Sequence, residues 1–322
     1  MPSYDELELR IEILDKSLLQ KVVDRFERFY FSGSNGRLSG VDFGNAHKPD
    51  LVILHGMRDH ALSMIGLAEF LKPHYHVIIM DLSGHGQSDN PGSYSMTLFI
   101  ADLRALVKSR SIKTPTLVGH SLGGHIACKY AAIYSDQVSK LVLLDGMGPP
   151  GNHEDSTADE LITRLKVGVD TVLDKFKGKR MVDDEEALLR LSRNNPLLDG
   201  ESAQLIVEHG LETHPEGGVR WRWDPAVQMV WHTFSNIEAE RLWALVKCPV
   251  LIVTGENSLE YWASMGGKYT EMQTFYASEL ERRRLVFNNA QHKVIAGAGH
   301  MLHYDQPHQV NQTVSEFLFD TA

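Results

Sequence analysis

The stretch TLVGHSLGGHIA, Thr116–Ala127, sets Gly119, Gly123 and Gly124 around Ser121. An apolar run precedes it and a helix-like run follows it. Gly-x-Ser-x-Gly at a strand-to-helix junction has a direct physical reading. The serine sits on a turn so sharp that residues two positions away must be the smallest available, or they collide with it. Such a turn lifts the hydroxyl clear of the sheet. It also leaves the amide of Leu122 at a helix N-terminus without an intrahelical acceptor. Ser121 is therefore the candidate nucleophile and Leu122 N–H a candidate oxyanion donor.

Working outward, short apolar runs alternate with helical patterns. Leu51–Leu54, Val77–Met80, Thr116–Val118, Leu141–Leu144, Val250–Val253 and Lys293–Ile295 read as strands buried on both faces. Helical patterns cover His60–Leu71, Thr97–Ser109, Gly123–Tyr134 and Gln306–Phe319. Strand then helix, repeated, implies βαβ units and a mostly parallel, doubly wound α/β sheet. Phe26–Phe43 alternates around Ser34-Asn35-Gly36, a hairpin signal that predicts an antiparallel N-terminal edge. The rhythm breaks between about Gly148 and Ser235. That segment carries no strong strand signal and holds Trp221, Trp223 and Trp231; it reads as a helical cap inserted after the strand ending at Leu144. The expected domains are a helical N-terminal extension (1–25), a core made of 26–147 and 236–322, and a cap (148–235).

Composition narrows the partners. The chain has 322 residues, 43% of them hydrophobic, and a formal net charge of −10. It can bury a large core, and its acidic balance argues against a nucleic-acid footprint. The Arg282-Arg283-Arg284 run reads as a solvated face. Two cysteines, Cys128 and Cys248, make no disulfide framework. The N-terminus lacks a signal-peptide pattern and no run reaches membrane-span length, so the expected location is cytoplasmic. No histidine pair comes with the further ligands of a zinc site, and no glycine-rich dinucleotide loop follows a strand; no metal or cofactor is expected. Oligomeric state is not legible.

An activated serine needs a base. Among 16 histidines, His300 follows the last strand and precedes the last helix, at the same sheet edge as Ser121. His303, His120 and His125 read as packing or supporting groups. The loop His55-Gly56-Met57-Arg58-Asp59 follows the first parallel strand; Gly56 permits a tight turn and Met57 N–H is the second candidate oxyanion donor. Arg58 and Asp59 could form an ion pair on that loop.

With these residues in place, the chain resembles the α/β-hydrolase superfamily from Phe26 to Phe319. The resemblance rests on His55-Gly56, on Asp81-Leu82-Ser83-Gly84-His85-Gly86-Gln87-Ser88-Asp89, on Gly119–Gly124 and on Gly297-Ala298-Gly299-His300. It implies an α/β-hydrolase fold with a helical cap. Ser83 departs from the arginine of many relatives, a change expected to alter only loop packing. A second departure matters more. Relatives often read Gly-Glu-x-Asp after the strand corresponding to Val250–Val253, and supply the triad acid there; this chain reads Gly255-Glu256-Asn257-Ser258. Asp145, 24 residues after Ser121 at the end of another strand, is the favoured acid, since some relatives place theirs at that separation. A carboxylate directly after four apolar strand residues is costly unless paired. Glu256 is the alternative, and Glu260 or no acid at all remain open.

A serine nucleophile excludes the ester-to-aspartate chemistry of dehalogenases and points to acyl transfer. The expected activity is a carboxylesterase acting on small to medium acyl esters. Carbon–carbon bond hydrolysis in a vinylogous diketone, thioester or lactone hydrolysis, and a non-catalytic ligand receptor are the alternatives. His55, Gly56, His120, Trp221, Trp231 and Phe234 are the candidate substrate-contacting residues, although aromatic residues in a cap also serve as its own core.

Overall fold

The structure is a computed structural model that describes residues 25–148, 157–173, 179–264 and 269–320. The expected N-terminal helix, residues 1–24, lies outside the described residues. Strands β1 (Glu27–Ser32) and β2 (Arg37–Asp42) form the hairpin read from Ser34-Asn35-Gly36. They are followed by β3 (Asp50–Leu54), α1 (Ile65–Leu71), β4 (His76–Met80), α2 (Met96–Ser109), β5 (Thr116–His120), α3 (Leu122–Ile133) and β6 (Leu141–Leu144). After the segment that follows β6 come α7 (Asn236–Trp243), β9 (Val250–Gly255), α8 (Ser258–Ser264), α9 (Tyr269–Arg284), β10 (Ala290–Ile295), α10 (Leu302–Asp305) and α11 (Pro307–Phe319).

One eight-stranded sheet runs in the order β1-β2-β4-β3-β5-β6-β9-β10. β1 and β2 are antiparallel, β2 meets β4 antiparallel, and every later pairing is parallel. Alternate side chains divide between two cores, as a sheet clad on both faces requires. Val52, Leu54, Leu117, Leu141, Leu143 and Ile252 pack with Phe99, Leu103 and Ile126 from α2 and α3. Leu51, Ile53, Val118, Val142, Leu144 and Val253 pack with Leu67, Leu71, Val310 and Val314 from α1 and α11. The final strand departs from expectation. β10 is an edge strand, and Gln291, Lys293 and Val294 face solvent. Having a neighbour on one side only, it can tolerate polar side chains that a central strand would not.

The segment between β6 and α7 contains α4 (Ala158–Leu173), α5 (Asp184–Asn194), α6 (Gly200–Gly210) and a 3-10 stretch, Pro225–Thr233. It also contains a short antiparallel hairpin, β7 (Leu211–Thr213) with β8 (Val219–Trp221), where no strand was expected. Its turn spends Gly217 and Gly218 at positive φ, and three-residue strands are too short to show a period. Side-chain caps mark the helix starts: Asp183 accepts from Glu186 N–H, Asp199 from Ser202 N–H and Asp224 from Ala226 N–H. Among the described residues no helix is long and apolar enough to cross a membrane.

The turn between β5 and α3 is closed by glycine. A Cβ on Gly119 would lie 2.4 Å from the Gly123 carbonyl oxygen, and one on Gly123 would lie 2.3 Å from the Leu54 carbonyl oxygen. Both obstacles are backbone, which cannot swing aside. Gly123→Ala should therefore lower the urea midpoint by an amount equivalent to about 1–3 kcal/mol, the usual range for overpacking. An unchanged midpoint would mean that α3 can slide away from β3 at no cost.

Candidate active site

Ser121 has φ 49° and ψ −116°, a left-handed conformation that costs a non-glycine residue on the order of 1–3 kcal/mol. Its amide donates to Leu144 O at 3.0 Å, which ties the end of β5 to the end of β6. Leu144 is followed by Asp145, also left-handed at φ 45°, whose amide donates to Val253 O at 2.7 Å. Two adjacent strand ends thus lift Ser121 and Asp145 side by side out of the sheet. Asp145 Oδ2 lies 2.6 Å from His300 Nδ1, and the two residues are 3% and 6% exposed. With an acceptor on Nδ1, that nitrogen carries the proton and Nε2 is left with its lone pair. His300 reaches the site from the loop between β10 and α10. Its backbone oxygen accepts from His120 Nε2–H at 2.9 Å, so His300 is bound to the residue preceding Ser121.

The other two carboxylates are elsewhere. Glu256 accepts from Gly297 N–H at 2.9 Å and is exposed; Glu260 faces solvent on α8. Ser258, standing where relatives carry the acid, is buried and accepts from Gly255 N–H at 3.0 Å. The hydroxyl therefore holds the turn that a carboxylate would otherwise occupy.

Leu122 N–H opens α3 with no acceptor in the preceding turn, and Met57 N–H has none either. The loop bearing Met57 is set by histidines. His55 is wholly buried: its Nε2 accepts from Leu82 N–H at 3.1 Å and Nδ1 donates to Gly56 O at 2.7 Å. It supports the loop and has no face toward a substrate, contrary to expectation. His85, which sequence reasoning missed, does the same from the β4 side. Its Nε2 accepts from Arg58 N–H at 3.1 Å, holding Arg58 at φ 65°. Gly56 lies directly on the elbow: a Cβ there would be 3.3 Å from Ser121 Cβ and 2.6 Å from His120 Nδ1. His120 is itself buried beneath His300, so its position is structural rather than substrate-facing. Arg58 and Asp59 do not pair. Arg58 donates to Gln228 Oε1 at 2.6 Å and sits 5.1 Å over the Trp223 ring, while Asp59 accepts from Tyr304 O–H at 3.1 Å.

The cap aromatics split into two groups. Trp231 and Phe234 present edges to His125, at 5.3 and 4.8 Å, one helical turn beyond Ser121. Trp221 instead packs with Met181, Leu188 and Tyr304 in a separate cluster under the β7–β8 hairpin. The arginine run is a solvated face only in part: Arg282 is exposed, but Arg283 is 1% exposed and donates to Met147 O at 2.9 Å and Glu279 Oε1 at 2.7 Å. It braces the turn that follows Asp145. Glu279, four residues before Arg283 on α9, was the available signal. Ser83 donates to Asp102, which also accepts from Ser34 N–H, so this departure from relatives is absorbed in loop packing. Sequence reasoning also missed Tyr261 and Trp262, which flank the His300 ring at 3.8 and 4.8 Å.

Residues 49–307 match the family described as alpha/beta hydrolase fold. A "Serine hydrolase-like protein" of Danio rerio is 24% identical over 293 residues, covering 88% of this chain and 85% of its own. A "Serine hydrolase-like protein" of Mus musculus is 28% identical over 212 residues, covering 64% of this chain and 67% of its own. Among solved structures, a thioesterase domain from the curacin biosynthetic pathway superposes with TM-score 0.76 at 20% identity, over 90% of this chain and 99% of its own. A thermophilic esterase from Thermogutta terrifontis superposes with TM-score 0.65 at 22% identity, over 91% and 98%. At these identities the structures establish the fold.

Six buried histidines surround the site. Burial pushes His55, His125 and His303 down to about 3, His60 and His85 to about 4, and His120 well below its ordinary value. All are neutral in the folded chain at pH 5, whereas in the unfolded chain they take up protons below about 6.5. Folding stability should then fall as pH drops from about 6.5 toward 4, by ~1.4 kcal/mol per pH unit for each histidine. Asp59 opposes this with one proton, because burial raises its carboxyl to about 7. Urea melts at pH 7.5, 6.5 and 5.5 should show a midpoint that is nearly constant above pH 7 and drops steeply below 6.5. A midpoint independent of pH across that range would contradict the neutral-histidine scaffold.

Proposed function

The chain is a serine hydrolase-like member of the alpha/beta hydrolase fold family, and on that footing we propose that it hydrolyses carboxylic esters of small to medium acyl groups. One observation carries the reading: a serine on a left-handed elbow shares its sheet edge with a buried histidine whose Nδ1 is 2.6 Å from a buried carboxylate. Ser121 Oγ attacks the ester carbonyl carbon. His300 Nε2 takes the hydroxyl proton and returns it to the departing alcohol. Asp145 holds the productive tautomer and stabilises the imidazolium formed in between. Leu122 N–H and Met57 N–H receive the oxyanion. Water, activated by the same imidazole, then releases the acid and restores Ser121.

Residues 148–235 act as the cap over this site in our reading. Several bonds join them to the core loops: Arg58 to Gln228, Tyr94 O–H to Asp224 Oδ2 at 2.7 Å, and Asp224 N–H to Gly84 O at 2.8 Å. Trp231 and Phe234, packed on His125, supply an apolar wall next to the nucleophile for the acyl chain.

The test is turnover of p-nitrophenyl acetate and butyrate, paired with covalent labelling by a fluorophosphonate. Ser121→Ala should abolish both. Asp145→Asn should lower kcat by about 10²–10⁴-fold with the fold retained, and Glu256→Gln should leave it within about twofold. Activity should decline on the acid side as the base is protonated. Saturable ester binding with no turnover and no labelling would replace this reading with a ligand receptor.

A further inference from the structure

Position 258, where relatives carry the triad acid, holds a serine engaged in its own turn, yet the helix that begins there still reaches the base. The Tyr261 ring lies on the His300 ring with centroids 3.8 Å apart and planes 3° from parallel. Trp262 meets the same imidazole edge-on at 4.8 Å, 72° from coplanar. His120 lies 4.9 Å away on β5. Tyr261 is 37% exposed, so its ring is not merely core filling. A flat aromatic at this separation does two things. It blocks rotation of the imidazole about its Cβ–Cγ bond, which a single hydrogen bond to Asp145 does not. Its negative face also favours the ring when positive, as any cation over an aromatic face is favoured.

We propose that Tyr261 is a positioning residue for His300: it keeps Nε2 aimed at Ser121 and stabilises the imidazolium that exists while the tetrahedral intermediate forms and collapses. This deepens the serine-hydrolase reading and rests on it. The loop after β9 therefore contributes to the base through a π face, while the carboxylate has moved to the end of β6. Ionisable groups around the imidazole are Asp145 after β6, Tyr261 on α8, His120 on β5, and His303 and Asp305 on α10; Arg58 faces Tyr261 from the loop after β3.

Tyr261→Phe and Tyr261→Leu separate this role from a simple wall. Leucine keeps the imidazole covered by apolar atoms and removes only the π face. Tyr261→Phe should stay within about twofold of the parent in kcat, and Tyr261→Leu should lose about tenfold in kcat with KM within about twofold. In Tyr261→Leu the acid limb of the kcat/KM–pH profile should move to lower pH by roughly half a unit, because the imidazolium has lost a stabilising neighbour. The His300 titration followed by imidazole NMR should move the same way. That measurement needs no turnover, so an inactive parent would sink the ester reading and leave this one to the NMR result. The proposal is overturned if Tyr261→Phe falls as far as Tyr261→Leu, if Tyr261→Leu raises KM with the acid limb and NMR titration unmoved, or if it changes nothing.

Discussion

The bond from Ser121 N–H to Leu144 O joins two strand ends, and the candidate site hangs from it. It holds Ser121 in a left-handed conformation that the isolated dipeptide would leave. Through Leu144 it also sets the departure point of Asp145, itself left-handed and bonded onward to Val253. A chain of three parallel strands, β5, β6 and β9, thus stores strain at two successive tips, at Ser121 and Asp145. The strain is tolerated because the strands beneath are buried on both faces, where repacking is the more expensive alternative.

The second constraint is electrostatic. Histidines are abundant here, yet most of those near the elbow act as neutral struts. His55 and His85 each accept a backbone N–H on one nitrogen and donate to a backbone oxygen with the other, which only the neutral ring can do. Asp81 supplies the fixed charge that they surround. Burial opposes its ionisation, but the Arg28 guanidinium and the Ala61 amide hold its carboxyl below the usual range. The loop after β3 is thus held in place by fixed hydrogen bonds from the buried rings around it. Among these rings His300 alone has a carboxylate on Nδ1 in the elbow, which sets it apart from the struts.

The legible part of the molecule was the part written in periodicity and local sterics. Apolar runs bounded by glycine specify parallel strands, and the elbow glycines specify the tight approach of α3 to β3. The β7–β8 hairpin was missed because strands of three residues have no period to detect. Arg283 was misread because the run of three arginines says nothing about which one turns inward; its burial follows from the helical register that pairs it with Glu279 and points it at Met147 O. His55 and His120, candidate substrate contacts by adjacency to the motifs, are both buried, because adjacency does not say on which side of the backbone a ring lies.

The sequence by itself determined the fold, since that depends on a repeated pattern of apolar runs, and it singled out Ser121 and His300 as candidates from residues close together along the chain. For the acid it favoured Asp145, with Glu256 as the alternative and Glu260 or no acid left open. Only the tertiary structure decided which carboxylate meets His300, because that contact joins residues 155 positions apart across β6 and the loop after β10. The stacking of Tyr261 on the same ring is likewise a matter of two distant loops converging on one sheet edge, and no local rule along the chain encodes where such loops end.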